Sequence, residues 1–263
     1  MRYDVSGTVM QTVSIDLERG EQVYSQTAAM AWMTAGIVMD THTGGGLFAG
    51  IRRAMSGGTL FITDFTAEAP GQVAFAPRFP GKILPMALAA GQSLICRKET
   101  FLCAEKGVTL EIAWQQRIGA GLFAGEGFVL QRVTGPGTAF LDLSGEVIEK
   151  TLGPGETLRV HAGHIGMQEP TVSTDIRMMR GFKNALFGGE GLFLATLTGP
   201  GKIWLQSMPI MNLAEEIFRH MPANEQATDS IGTGVATGVA GAAIGGILGG
   251  MFGGGGGSSD DEF

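Results

Sequence analysis

The chain repeats itself. Gly125-Glu126-Gly127-Phe128-Val129-Leu130, followed by Thr134-Gly135-Pro136-Gly137, returns 64 residues later as Gly189-Glu190-Gly191-Leu192-Phe193-Leu194 and Thr198-Gly199-Pro200-Gly201. The same offset links Gly91-Gln92-Ser93-Leu94 to Gly155-Glu156-Thr157-Leu158, and Ile112 to Ile176. A fainter copy lies upstream in Gly20-Glu21-Gln22-Val23, Ser56-Gly57-Gly58-Thr59-Leu60-Phe61 and Ala69-Pro70-Gly71. Self-similarity at a fixed period means one supersecondary unit used several times. Three units are expected, over about 1–70, 71–136 and 137–208. Since ~65 residues are marginal alone, the units are expected to form one body with a single shared core.

Within the units the pattern is that of strands. Val9, Val13, Ile15 and Leu17 share one parity, as do Leu110, Ile112 and Trp114, and Leu158, Val160 and Ala162. Leu141 and Leu143 flank Asp142 in the same way. This alternation is that of half-buried strands. Gly and Pro punctuate the runs at Glu18-Arg19-Gly20, Phe79-Pro80-Gly81 and Gly153-Pro154-Gly155, where positive φ or a missing donor favours a tight connection. The fold class expected is all-β: three pseudo-repeated antiparallel units forming one sandwich- or barrel-like body.

After the units, Ile210, Leu213, Ala214, Ile217, Phe218 and Met221 fall at helical spacing behind Pro209. They predict a helix over 209–221 that closes one end of the body. From 223 to 263 a Gly-rich tail follows, with 22 uncharged residues over 231–252. That length would span ~33 Å as a helix, enough for a bilayer core. Gly241, Gly245, Gly249 and Gly253 recur at i, i+4, the spacing that lets helices approach closely. Against a span stand eight glycines within 231–252, each costing a helix ~1 kcal/mol, and acidic flanks at Glu225, Asp229, Asp260, Asp261 and Glu262. A flexible tail, a packed partner contact and membrane insertion all remain open.

No catalytic constellation emerges. Gly119-Ala120-Gly121-Leu122-Phe123-Ala124 fits a dinucleotide fingerprint, but it leads into a strand pattern where the fingerprint needs a helix. His161 and His164 form H-x-x-H. On a strand, positions three apart point to opposite faces, so they are weak metal candidates that require a turn between them. Asp40, Asp64, Asp142 and Asp175 are scattered. Arg52-Arg53 with Arg78 and Lys82, and Arg177, Arg180 and Lys183, are small basic clusters. They sit in a chain of net charge -7, which opposes binding to a phosphate backbone. Cys96 and Cys103 are too few for a disulfide framework. The N-terminal residues lack the pattern of a signal peptide, and a cytoplasmic setting is the default expectation.

A resemblance adds to this reading. Arg53-Ala54-Met55-Ser56-Gly57, Phe75-Ala76-Pro77 with Pro80-Gly81-Lys82-Ile83, Gly121-Leu122-Phe123-Ala124-Gly125-Glu126-Gly127, Gly163-His164-Ile165 and Gly188-Gly189-Glu190-Gly191-Leu192 are its carriers. On these residues, roughly 2–208 resembles a family related to a mitochondrial biogenesis (altered inheritance of mitochondria) factor. Gly58 and His161 depart from that pattern, where an acidic residue and an aspartate are usual. The resemblance implies a β-rich fold like the tryptophan RNA-binding attenuator modules, a homo-oligomer, and no established catalysis or cofactor.

Two expectations for function follow. One is a non-catalytic, oligomeric scaffold or assembly protein, cytoplasmic, whose tail touches a protein partner or lies at a membrane surface. The other is a small-ligand-binding or enzymatic β-domain with a site between units near His161, His164 and Glu190. No nucleic-acid partner, metal or other cofactor is expected.

Overall fold

The structure, a computed structural model, describes residues 1–26, 29–43, 61–116, 128–178 and 193–220. The first module holds β1 (Arg2–Ser6), β2 (Thr12–Leu17), β3 (Gln22–Gln26), β4 (Met30–Met33), β5 (Ile37–Thr43), β6 (Phe61–Ala67) and β7 (Gly71–Phe75). The second holds β8 (Gly81–Leu88), β9 (Ser93–Arg97), β10 (Phe101–Glu105), β11 (Thr109–Gln116), β12 (Phe128–Thr134) and β13 (Gly137–Ser144). The third holds β14 (Val147–Leu152), β15 (Thr157–His161), β16 (Ile165–Gln168), β17 (Ser173–Met178), β18 (Phe193–Thr198) and β19 (Gly201–Gln206). A shift of 64 carries each strand from β8 to β13 onto its counterpart from β14 to β19.

The repeated strings are the chemistry of the turns. Gly20, Gly91 and Gly155 have φ of 87°, 80° and 73°, a region an L side chain rarely enters. The side chain that follows each glycine then accepts an N–H three residues back. Glu21 takes that of Glu18 at 2.8 Å, Gln92 that of Ala89 at 3.1 Å, and Glu156 that of Gly153 at 2.8 Å. At the Gly-Pro-Gly turns, a Cβ on Gly135 would clash with the Leu88 carbonyl oxygen, and one on Gly199 with the Gly153 carbonyl oxygen. Only glycine lets these backbones approach so closely.

Each module is a two-sheet sandwich, and the sheets run on into the next module. The sheet orders are β1-β2-β7-β4, β5-β6-β3-β10-β13-β8, β11-β12-β9-β16-β19-β14 and β15-β18-β17. Half of the first module and half of the second therefore form one six-stranded sheet through β3 and β10. The second and third modules join in the same way through β9 and β16.

This pairing corrects the borders read from the sequence at 70 and 136. The turns at Ala69-Pro70-Gly71 and Gly135-Pro136-Gly137 connect strands of one module. β7 pairs with β2 and β4, and β13 with β8 and β10. The module changes instead lie between β7 and β8, and between β13 and β14.

The single shared core is also replaced by three clusters, one per module, each completed by a neighbour. The first, around Val13, Ile15, Phe65 and Phe75, takes in Phe140 and Cys103 from the second module. The second, around Leu94, Phe101, Leu110 and Leu141, takes in Tyr24 from the first and Met167 and Trp204 from the third. The third, around Ile165, Leu197 and Ile203, takes in Phe128 and Leu130. Alternation along a strand makes this sharing possible: Phe140 faces one cluster while its neighbours Ala139 and Leu141 face another.

Beyond β19 lies α1 (Ile210–His220). The expectation that it closes one end of the body is not supported. None of its described residues joins the three clusters, and Ile217 is 56% exposed. The tail, with Gly241, Gly245, Gly249 and Gly253, lies outside the described residues.

Candidate functional site

Buried polar side chains, Arg97, Thr100 and Gln206 among them, lie at or beside the strand ends of the module junctions. Three sets of repeat-equivalent positions lie at these strand ends: Ala76, Asp142 and Gln206 on or just after β7, β13 and β19; Gln26, Arg97 and His161 at the ends of β3, β9 and β15; and Ala29, Thr100 and His164 just ahead of β4, β10 and β16. A cleft of about 300 Å³ is lined by Gln26, Arg78, Arg97, Glu99, Asp142 and Gln206, among others. The framework repeats, but the side chains at equivalent positions differ in type.

Arg97 is 6% exposed. Its Nε lies 3.2 Å from the Glu99 carboxylate, its Nη1 donates to the Gly163 carbonyl at 3.2 Å, and its guanidinium carbon sits 5.2 Å from the Phe128 ring centroid. A buried arginine is tolerable only when its charge is matched in this way. The same Gly163 carbonyl accepts a second bond, from Gln206 Nε2 at 2.9 Å. Gln206 Oε1 in turn accepts the Ser144 N–H at 3.0 Å. This small network ties the end of β9 to the third module and to the end of β13.

Asp142 sits on the polar side of β13, between the fully buried Leu141 and Leu143. Burial pushes its carboxyl up to about 7. A bond from its own backbone N–H and the Arg78 charge offset part of that rise, and the negative charge of Glu99 adds to it. The cleft is thus lined by a buried guanidinium and by a carboxyl that changes charge near neutrality.

The turn the histidines require is present. Ala162–His164 forms a single 3-10 turn between β15 and β16, and it brings the His161 and His164 rings to 5.9 Å between centroids. His164 Nδ1 is 2.8 Å from the Gln206 carbonyl oxygen, so that nitrogen donates. Among the described residues, no group of three or more His, Cys, Asp or Glu is placed to hold a metal ion. Glu190, the third residue of that expected site, lies outside the described residues, as do Arg52, Arg53, Arg180 and Lys183. Arg177 is exposed on β17 and pairs with Asp175 at 2.8 Å. No helix of the described residues is long and apolar enough to cross a membrane.

Sequence reasoning passed over Arg97, Asp142 and Gln206 as site residues. The signal was present in the repeat itself. Positions occupied by Ala76 and Gln26 in the first module carry Asp142 and Arg97 in the second, while the turns around them keep their chemistry.

Comparison with known proteins agrees with the fold. An uncharacterised protein of Streptococcus pyogenes serotype M6 is 29% identical over 233 residues, covering 85% of this chain and 92% of its own. A crystal structure of a Streptococcus pyogenes protein superposes with a TM-score of 0.68 at 27% identity, over 84% of this chain and 99% of that one. The family model for mitochondrial biogenesis AIM24 matches residues 3–208, the three modules together. The chain belongs to the AIM24 mitochondrial biogenesis family.

Proposed function

We propose that this chain is a non-catalytic scaffold that assembles with copies of itself, its Gly-rich tail reaching a protein partner or a membrane surface. One observation carries the reading: modules are joined by pairing strand edges, and among the described residues the edge strands β4 and β15 each pair with one strand only. An unpaired edge is a template for another chain. The family's likeness to attenuator-type modules, which the sequence resemblance implies, belongs to the same proposal.

Light scattering after size exclusion tests it on the full chain. A mass of two or more copies is expected, and a monomer at working concentration would remove the proposal. The tail is tested by flotation with liposomes, comparing the full chain with a version ending at Asn224. Binding by the full chain alone assigns the tail a membrane contact.

A second reading, ligand binding, is favoured by the cleft, where polar groups break the repeat. In that case a small polar molecule raises the melting temperature of the wild type. Asp142→Ala, which opens space without removing Arg97, abolishes the rise.

A further inference from the structure

Two equivalent 3-10 turns of this chain differ in charge. Lys98–Thr100 forms the one before β10, and Ala162–His164 the one before β16. A shift of 64 sets Arg97-Lys98-Glu99 against His161-Ala162-Gly163, and Asp142 against Gln206. The backbone makes the same turn from either string, so the turn does not need the three charges. They stand instead on the wall of the cleft of about 300 Å³, where Arg78 and Asp142 join them.

We infer that this cleft binds a small organic carboxylate, its anionic head held among Arg78, Arg97 and Lys98 and beside Asp142. This rests on the ligand-binding reading and gives it a ligand class.

Three observations converge on it. The first is charge balance. Three cations, Arg78, Arg97 and Lys98, share the lining with two carboxyls, Glu99 and Asp142. Glu99 is matched by Arg97 at 3.2 Å. Burial raises the Asp142 carboxyl to about 7, so below that pH the lining is positive within a chain of net charge -7. Such a spot draws anions and repels cations.

The second is shape. The volume lies at the lower end of small-molecule sites, and Phe79 and Ile210 share the wall with the charged groups. A short carbon chain behind the carboxylate covers that apolar surface. A bare inorganic ion would leave it uncovered.

The third is proton chemistry. Protonated Asp142 can donate its O–H to a bound carboxylate, whereas ionised Asp142 repels one. Binding therefore takes up a proton, and affinity falls as pH rises through 7. Arg78 favours the ionised form of Asp142 and Glu99 opposes it. Cys96 on β9 and Cys103 on β10 are buried thiols whose pKa burial pushes up, so they stay neutral. Glu105, toward the far end of β10, accepts the Thr138 N–H. Lys82 on β8 donates to the Thr8 carbonyl at 2.8 Å, and Lys202 on β19 pairs with Glu149 at 2.8 Å.

The test is titration calorimetry of the full chain with butyrate, butyramide and butylammonium, which share a carbon skeleton and differ in charge. Butyrate is expected to bind and butylammonium is not. The butyrate Kd should rise about tenfold per pH unit above 7, the slope of one linked proton. Asp142→Asn, which keeps a donor at every pH, should bind butyrate without that slope. Arg78→Gln, at an exposed position, should weaken butyrate binding about tenfold at every pH.

A wild-type Kd that does not change with pH overturns the inference, and so does a slope that survives in Asp142→Asn. Binding of butylammonium or butyramide in place of butyrate ends the carboxylate and leaves the ligand-binding reading standing. Binding of none of the three ends both.

Discussion

β10 and β4 are the same strand in two settings. Each bulges at the same step and pairs with the equivalent neighbour, β13 or β7. β10 is flanked on its other edge by β3, and its first four residues are buried. Among the described residues β4 has no second neighbour, and three of its four residues are exposed. The comparison teaches that burial in this chain is set by position in the array more than by the strand's own residues. Trp32 is more apolar than Cys103, yet it is the one left in water. Hydrophobic pattern says which face of a strand wants cover, but only the neighbour decides whether cover is present.

Met167 and Trp32 occupy equivalent places and should part most widely on mutation. Met167→Ala removes a fully buried side chain from a cluster it joins across a junction, and is expected to cost ~2–5 kcal/mol in urea unfolding. Trp32→Ala in dilute, dissociated protein should cost under about 0.5 kcal/mol. Similar values for the two would break the contrast between interior and outer strands.

The second test concerns the middle module alone. Asp142 binds its proton more tightly in the folded chain than in the unfolded one, because burial raises its carboxyl from 3.8 to about 7. Between those values the folded state holds more protons, so stability falls as pH rises. This group's contribution is complete below the ordinary carboxyl range and is lost as pH rises through 7. Asp142→Asn should leave stability at pH 4 nearly unchanged, flatten the decline toward pH 8, and be the more stable protein there by ~1–2 kcal/mol. Ala76 and Gln206, the equivalent residues, carry no titrating group, so a decline that survives the substitution would place the effect elsewhere.

The smallest effect should not depend on position. Gln92→Ala and Glu156→Ala each remove the acceptor of one turn N–H. Each is expected to cost ~0.5–1 kcal/mol by thermal unfolding. A difference of more than ~1 kcal/mol would show that the turns are less alike than their geometry.

Much of the architecture was legible because the turns carry it in local code. Gly91-Gln92 and Gly155-Glu156 announce the same backbone and the same acceptor, and the 64-residue shift therefore places strand on strand. Strand pairing across modules was not legible. The Gly135-Pro136-Gly137 turn looks like a border because it punctuates. It joins β12 to β13 inside one module, and nothing near it in the chain reveals that β13 pairs with β8.

Parity alone also overreached at Val9, which shares the phase of Val13 and Ile15 but is 53% exposed before β2 begins. The cleft escaped for the opposite reason. Repeat comparison highlights what recurs, and Arg97 and Asp142 stand out only as positions where recurrence fails. His161 and His164 were legible as a pair, while the turn that brings their rings together was not.

The shared register at β3/β10 and β9/β16 has an evolutionary corollary. Tandem duplication of a stretch of about 64 residues would add a unit whose two flanks already fit, with no new contact to invent. Deletion of such a stretch would let the remaining flanks meet. A change in the number of units would then leave the pairing strands themselves as they are.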